Sequence, residues 1–320
     1  MKKEKVFITR RIPEKGIELL QKQYEVEVWS DEEPIPRDIL LSKIQNFGGL
    51  VCMLSDKIDK ELMDQAPKLK VIANYAVGFD NIDVKYASKK GIKVGNTPGV
   101  LTETTADLAF SLLMAASRRI TEAVEYVKAG KWHTWGPRLL LGYDVWGSTL
   151  GVIGFGRIGQ AMARRGLGFG MKVLYHSRTP KPEAEEAMDV EYASLDEIYS
   201  QSDYISLHIN LNESSKGLID KKALNQMKSN CILINTARGA VINTEDLIDA
   251  LETSKIAGAG LDVTDPEPIP SDSKLLKLNN CIVVPHIGSA SYATRSKMSV
   301  MAAENVIAAL SGETLPYEVK

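Results

Sequence analysis

Cysteine is scarce: the 320 residues hold three, Cys52, Cys231 and Cys281. The number is odd, no CxxC pair occurs, and each thiol lies in an apolar run that reads as a buried strand. A disulfide framework and a zinc knuckle are therefore not expected, and buried reduced thiols are. Histidine is nearly as rare. His133, His176 and His208 show no metal-ligand spacing with one another, so no metal site is assigned. His133 and His176 read as surface residues. An excess of one charge is also missing: 39 Lys and Arg stand against 41 Asp and Glu, with no long like-charge run. That balance disfavours a nucleic-acid or anionic-membrane partner. No apolar stretch is long enough to span a bilayer; the most apolar helical segment runs only from Leu108 to Ala116. The start, Met1-Lys2-Lys3-Glu4-Lys5, passes directly into Val6-Phe7-Ile8 with no signal-like apolar core, so a cytoplasmic protein is expected. Internal repeats and low-complexity linkers are absent as well.

What remains is a regular rhythm of β-rich runs and helical patterns. Candidate strands are Lys5–Arg10, Tyr24–Trp29, Gly49–Leu54, Leu69–Ala76 and Ile92–Asn96. A second series is Thr149–Gly154, Lys172–Ser177, Tyr204–Ile209, Cys231–Thr236, Ala257–Val263 and Cys281–Pro285. Runs such as Ile282-Val283-Val284 are apolar without alternation, as strands buried on both faces of a parallel sheet require. Strand–helix alternation implies an α/β fold with right-handed crossovers. Two long helical stretches break the rhythm. One runs from Thr102, a candidate N-cap, to about Lys128, and the other from Ser291 to Leu310. Each sits where one strand series gives way to the other. The economical reading is two domains, residues 1–101 with 291–320 and an inserted domain of 102–290, with a cleft where the long helices cross.

The sharpest local signal is Thr149-Leu150-Gly151-Val152-Ile153-Gly154-Phe155-Gly156-Arg157-Ile158-Gly159. Gly154, Gly156 and Gly159 form G-x-G-x-x-G between a strand and an amphipathic helix carrying Ala161, Met162 and Leu167. In that context the first glycine permits the tight turn, the second lets backbone approach a pyrophosphate, and the third packs helix on strand. Free N–H groups at the helix start complete an anion site. Sites for NAD place a carboxylate about 20 residues on, to bind the ribose 2′-hydroxyl. Here the next strand ends in Ser177-Arg178-Thr179 instead. Hydroxyls and a guanidinium suit a 2′-phosphate, so NADP(H) is favoured over NAD(H), which stays possible. The alternative is that Arg178 only stacks on the adenine or is solvated.

Three later strand ends carry chemistry: Thr236-Ala237-Arg238-Gly239, Asp262-Val263 with Glu267-Pro268, and His286-Ile287-Gly288. Hydride transfer to a 2-oxo acid needs a cation for the carboxylate, a general acid for the nascent alkoxide, and a carboxylate to orient that acid. Arg238, His286 and Glu267 can fill these roles in turn. Taken singly, each has an ordinary reading: a strand-end histidine, an exposed loop carboxylate between Pro266 and Pro268, and, for Asp262, a turn cap.

In combination, and in this order, the segments Asn74–Asp83, Asn96–Thr102, Gly154–Gly159, Ala237–Gly239, Gly260–Val263, Glu267-Pro268 and Pro285–Ser289 resemble the D-isomer-specific 2-hydroxyacid dehydrogenase family. The likeness spans nearly the whole chain and is strongest to its glyoxylate/hydroxypyruvate reductase and 2-ketogluconate reductase branch. It implies two Rossmann-like or flavodoxin-like domains, the nucleotide-binding one inserted in the substrate domain. It implies Arg238, Glu267 and His286 as the catalytic trio. Backbone N–H groups of Val77 and Gly78 would clasp the substrate carboxylate, and Leu54 would line the pocket. Asp262 would bind the nicotinamide carboxamide; Thr105, His208, Ile209, Thr236, Ala237 and Gly288 would border the cofactor with Phe155, Arg157 and Ile158. The resemblance further implies a homodimer through the nucleotide-binding domains and a cleft that closes on substrate. Trp132, Trp135 and Trp146 cluster and either pack ordinarily, or the segment Trp132–Tyr143 is an arm at a dimer interface, with Trp135 or Leu139 approaching the partner's active site. Two departures stand out: Asn210 replaces a common Pro, and Ser291 a common Thr.

The resulting expectation is reduction of glyoxylate or hydroxypyruvate to the D-2-hydroxy acid. The nearest rival is 2-ketogluconate. D-3-phosphoglycerate is not expected, since Leu54, Val77 and their neighbours supply no extra cation for a phosphate and no C-terminal regulatory domain is present. A dinucleotide-sensing corepressor or scaffold is the alternative of a different class.

Overall fold

Strands that are apolar on both faces must be covered on both faces, and in this computed structural model the central strands of each sheet, such as Gly49–Cys52, Val71–Asn74, Tyr204–Leu207 and Ile232–Asn235, are buried throughout. The structure describes residues 3–319; Met1 and Lys2, at the head of the charged N-terminal run, and Lys320 lie outside the described residues. It divides into two compact units, one of segments 1–101 and 289–320 and one of 102–288.

In the first unit, β1 (Lys5–Ile8), β2 (Glu25–Val28), β3 (Gly49–Cys52), β4 (Val71–Asn74) and β5 (Lys93–Gly95) form a parallel sheet in the order β2-β1-β3-β4-β5. The period of two sorts its side chains. Phe7, Leu50, Cys52 and Ile72 enter one core with Ile44, Leu62 and Met63. Val6, Ile8, Val51, Val71 and Ala73 enter another with Ile17, Leu20, Ala302 and Val306. Each fully buried Val, Leu, Ile or Phe contributes about 1.5–3 kcal/mol. Ala302 and Val306 belong to the helix Tyr292–Leu310, whose start is capped by Ser291 Oγ accepting Thr294 N–H at 3.1 Å. Ser291 thus serves as the N-cap of this helix.

The second unit holds β6 (Thr149–Ile153), β7 (Lys172–His176), β8 (Val190–Tyr192), β9 (Tyr204–Leu207), β10 (Ile232–Asn235), β11 (Gly258–Leu261) and β12 (Cys281–Val283). Their order is β12-β11-β10-β9-β6-β7-β8, all parallel. The order reverses between β6 and β9, and such a reversal opens a crevice at the carboxyl ends of the strands. One core face gathers Ile153, Ile205, Leu233 and Leu261; the other gathers Val152, Val173, Tyr175 and Ile234.

Every expected strand forms, each trimmed at one end or both, and the trimmed residues make the loops discussed below. Two expectations need correction. The strand β8 lies at the sheet edge and was not anticipated from sequence: it has three residues, and Glu191 and Tyr192 are exposed. The single helix expected from Thr102 to about Lys128 is two, Thr102–Ser117 and Ile120–Lys128. Between them Arg119 adopts a left-handed backbone (φ 51°), which interrupts a right-handed helix. The first helix begins on Thr102 itself rather than being capped by it. All three cysteines are free, with Cys281 only partly buried, and burial pushes the Cys231 and Cys281 thiols up to about 12. No helix among the described residues is long and apolar enough to cross a membrane.

Candidate active site

The crevice beside β6 is built from its glycine turn. Gly154 has φ 97°, and a Cβ there would lie 2.5 Å from the His208 carbonyl, so no other residue fits. Its N–H donates to His176 O at 2.9 Å, tying the turn to β7. Gly156 caps the helix Arg157–Gly168, and a Cβ on it would meet nothing within 4 Å. The protein itself leaves that space open, directly over the free N–H groups of a helix start. A pyrophosphate fits this cradle. Arg157 is exposed and Ile158 half-buried beside it, while Gly159 is buried. The Phe155 side chain is turned inward, stacked on Tyr175 at 4.0 Å, so Phe155 offers a ligand only backbone.

Neighbouring strand ends complete the border. After β7, Ser177 Oγ donates to Thr179 O at 2.7 Å. Arg178 and Thr179 are exposed, and Arg178 makes no hydrogen bond or ion pair within the described residues. After β9, His208 Nε2 lies 2.8 Å from Ser206 Oγ, and loss of water around the ring drives its pKa down to about 3. His208 is thus a neutral imidazole, partly open on one side. Ile209 follows, half-buried. The Asn210 carbonyl accepts the Ser215 hydroxyl at 2.7 Å, which holds this bend without a proline. After β10, Thr236 Oγ1 is buried with no partner among the described residues. A buried hydroxyl without a partner is rare in a folded chain and suits a ligand atom.

The side chains with acid–base capacity meet at the ends of β10, β11 and β12. Buried Asn235 shapes the first loop: its Oδ1 accepts Ala237 N–H at 3.0 Å and its Nδ2 donates to Arg238 O at 2.9 Å. The Arg238 guanidinium, half-buried, donates to Ala237 O at 2.7 Å. Buried Asp262 shapes the last loop, accepting Ile287 N–H at 2.6 Å and Gly288 N–H at 2.8 Å. Burial raises the Asp262 pKa against the pull of those N–H groups and of His286. The backbone of His286 is left-handed (φ 52°), an uncommon state for a residue with a Cβ. It persists because His286 N–H is pinned to Asp262 O at 2.9 Å while the carboxylate grips the next two residues. Gly288 is buried against Thr105, whose Oγ1 would lie 3.5 Å from a Cβ at position 288.

This backbone aims the imidazole at Glu267. His286 Nδ1 and Glu267 Oε1 are 2.6 Å apart, and Glu267 Oε2 accepts Thr264 N–H at 3.3 Å. Burial pushes the Glu267 carboxyl up, but the hydrogen bond and charge of His286, the Thr264 N–H and the Arg238 charge together hold it below the usual range. Peptide bonds 265–266 and 267–268, flanking Glu267, are cis.

In the first unit the strand-end loop after β4 is held by amides. Asn74 Nδ2 donates to Gly78 O and Asn96 Nδ2 to Val77 O, both at 2.7 Å. Asn81 Nδ2 donates to Met53 O at 3.1 Å and Asp56 O at 3.0 Å. With their carbonyls engaged, Val77 and Gly78 keep backbone N–H groups that no described residue accepts. Leu54, after β3, is exposed. Sequence reasoning quoted these asparagines only as parts of a motif and gave Asn235 no role; their spacing from glycine at strand ends is the signal that marks them. Among the described residues no cluster of His, Cys, Asp and Glu could hold a metal ion.

Comparison with known proteins finds relatives over nearly the whole chain. Residues 110–288 match the family described as D-isomer specific 2-hydroxyacid dehydrogenase, NAD binding domain. A glyoxylate reductase of Thermococcus litoralis is 52% identical over 318 residues, covering 98% of this chain and 96% of its own. The human glyoxylate reductase/hydroxypyruvate reductase is 47% identical over 320 residues, covering 99% and 98%. The crystal structure of an NADPH-dependent glyoxylate/hydroxypyruvate reductase from Sinorhizobium meliloti, in complex with NADP and malonate, superposes with a TM-score of 0.87 at 31% identity, covering 99% of this chain and 97% of that one. With parallel sheets, a glycine turn and a His–Glu pair in one frame, the chain belongs to the D-isomer-specific 2-hydroxyacid dehydrogenase family.

Proposed function

We propose that the protein is a cytoplasmic enzyme that reduces glyoxylate or hydroxypyruvate to the D-2-hydroxy acid, with NADPH preferred to NADH. The observation that carries this reading is the 2.6 Å contact between His286 Nδ1 and Glu267 Oε1. It occupies one ring nitrogen and leaves Nε2 to give a proton to substrate. Gly154, Gly156 and the N–H groups opening Arg157–Gly168 would hold the pyrophosphate, with Thr236, Asp262 and Gly288 nearer the nicotinamide. A bound nicotinamide supplies the hydride that the C2 carbonyl carbon accepts. His286 gives its Nε2 proton to the carbonyl oxygen, which becomes the hydroxyl, while Glu267 keeps the ring oriented and stabilises its charged form. Arg238 binds the substrate carboxylate and polarises the carbonyl. In the first unit, Val77 and Gly78 N–H groups are the candidates to bind a substrate carboxylate, with Leu54 as a pocket residue.

The names of the Thermococcus and human relatives support glyoxylate, and do not favour 2-ketogluconate. Preference for NADPH is supported by Ser177, by the exposed, unpaired Arg178 and by Thr179 where a carboxylate would stand for NAD; the Sinorhizobium relative is described as NADPH-dependent. A homodimer is supported by exposed aromatic residues, with Trp135 79% and Trp146 80% accessible in the single chain.

The test follows oxidation of NADPH and NADH with glyoxylate, hydroxypyruvate, 2-ketogluconate and pyruvate, for the wild type and Arg238→Ala. Turnover highest on glyoxylate or hydroxypyruvate, and lost in the variant, supports the reading. Highest turnover on 2-ketogluconate moves the protein to that substrate. Tight cofactor binding without turnover on any 2-oxo acid replaces the enzyme reading with a dinucleotide sensor.

A further inference from the structure

The ribose-side loop after β7 is too short to have a core of its own, so something must give it shape. Its return from Tyr175 to Lys181, six positions on, is closed by one atom. The Tyr175 hydroxyl accepts Lys181 N–H at 2.7 Å and donates to Glu185 Oε1 at 2.5 Å. Lys181 precedes Pro182, the first residue of the helix Pro182–Ala187, so its N–H belongs to the unbonded set at a helix start. The Tyr175 ring is fully buried and stacks on Phe155, inside the glycine turn, at 4.0 Å. Upstream, Gly154 N–H donates to His176 O, and Ala193 N–H donates to Tyr175 O, each at 2.9 Å. One rigid ring thus joins the phosphate turn to both ends of the segment that carries Ser177, Arg178 and Thr179. Burial first, and the Glu185 bond second, raise the Tyr175 pKa, so the hydroxyl keeps its proton for Glu185.

We propose that Tyr175 is a positioning residue for coenzyme discrimination: its hydroxyl holds the 177–181 loop in the shape that gathers Ser177, Arg178 and Thr179 about a 2′-phosphate. The inference rests on the coenzyme reading above. Without the hydroxyl the loop loses its closing bond and must be ordered by the ligand, and that ordering cost falls on the group the loop meets. NADPH and NADH differ only at the 2′ position. Contacts to pyrophosphate and nicotinamide are common to both and lie outside the loop.

Tyr175→Phe keeps the ring, its burial and the stack on Phe155, and removes only the hydroxyl. Dissociation constants for NADPH and NADH, measured by titration calorimetry without substrate, give the readout. Loss of one such bond predicts about tenfold weaker NADPH binding and less than twofold change for NADH. Glu185→Gln retains an acceptor for the hydroxyl and should leave the NADPH/NADH ratio within about twofold. Equal weakening of both coenzymes in Tyr175→Phe would assign the residue to folding alone and overturn the proposal, as would an unchanged pair of constants. The wild-type ratio tests the coenzyme reading. The change in that ratio tests Tyr175, whichever coenzyme the wild type prefers.

Discussion

The loops that follow β4 in the first unit and β10 to β12 in the second use polar side chains for opposite ends. In the first unit Asn74, Asn81 and Asn96 spend their amides on carbonyls of residues 53, 56, 77 and 78, leaving plain backbone N–H groups for a ligand. In the second, Asn235 and Asp262 brace the backbone so that other side chains, Arg238 and His286, are presented. A backbone N–H does not titrate, and every substitution at its own position except proline leaves it in place. A side chain can carry charge and a mobile proton. On the proposed reading, this division would put proton chemistry in the second unit and fixed recognition in the first.

Substitutions should separate the two kinds of loop by size of effect. His286→Ala removes the proton donor, so kcat should fall about 10²–10⁴-fold with the coenzyme dissociation constant little changed; near-normal turnover would remove His286 from the acid role. Glu267→Gln keeps the shape and loses the charge. A hydrogen bond to a charged group is worth about 1.5–3 kcal/mol, so turnover should fall roughly 10- to 100-fold. Its pH behaviour gives an independent check. The Glu267 carboxyl is held below its ordinary 4.5 in the folded protein. A depressed carboxyl contributes its interaction above the unfolded value and loses it as pH falls through the folded one. Wild-type Tm should therefore drop more steeply than that of Glu267→Gln on acidification below 4.5, and parallel curves would contradict the assigned pairing. Asn81→Ala should have the smallest effect on chemistry. It leaves the Asp56 carbonyl without its donor and the Met53 carbonyl with the Asp56 N–H alone, at about 1–3 kcal/mol of stability. KM for the 2-oxo acid should rise several-fold while kcat holds; a lower Tm with unchanged KM would confine these asparagines to folding.

The parallel sheets were legible because doubly buried strands are apolar without alternation, and the phosphate turn because Gly154, Gly156 and Gly159 follow such a strand. Arg238, Glu267 and His286 were legible as residue types at strand ends, and the structure brings Glu267 to His286 directly. Other features depend on contacts that no local pattern carries. The left-handed state of His286 is maintained by Asp262, 24 positions away in sequence, through bonds to backbone rather than to a side chain. The inward turn of Phe155 depends on the Tyr175 ring in the next strand. The break at Arg119 interrupts a segment whose composition is helical throughout, since Arg119 pairs with Glu122 and caps nothing. The edge strand β8 is held by backbone bonds to β7 with two exposed side chains, so its hydrophobic signature is almost nil.

The helix Tyr292–Leu310 and the residues after it are stitched into the first sheet. Asn305 Nδ2 donates to Asn96 O at 3.0 Å, Asn96 N–H to Tyr317 O at 3.1 Å, and Val319 N–H to Val94 O at 2.9 Å. Ala302, Ala303 and Val306 cover one face of that sheet. On a ribosome this sheet is made first and finished last. At roughly 5–20 residues per second its apolar face waits on the order of 10–40 s for its cover, the time in which the second unit, residues 102–288, is itself being made. A nascent chain in that interval carries an open apolar sheet face ahead of a second unit that is still emerging.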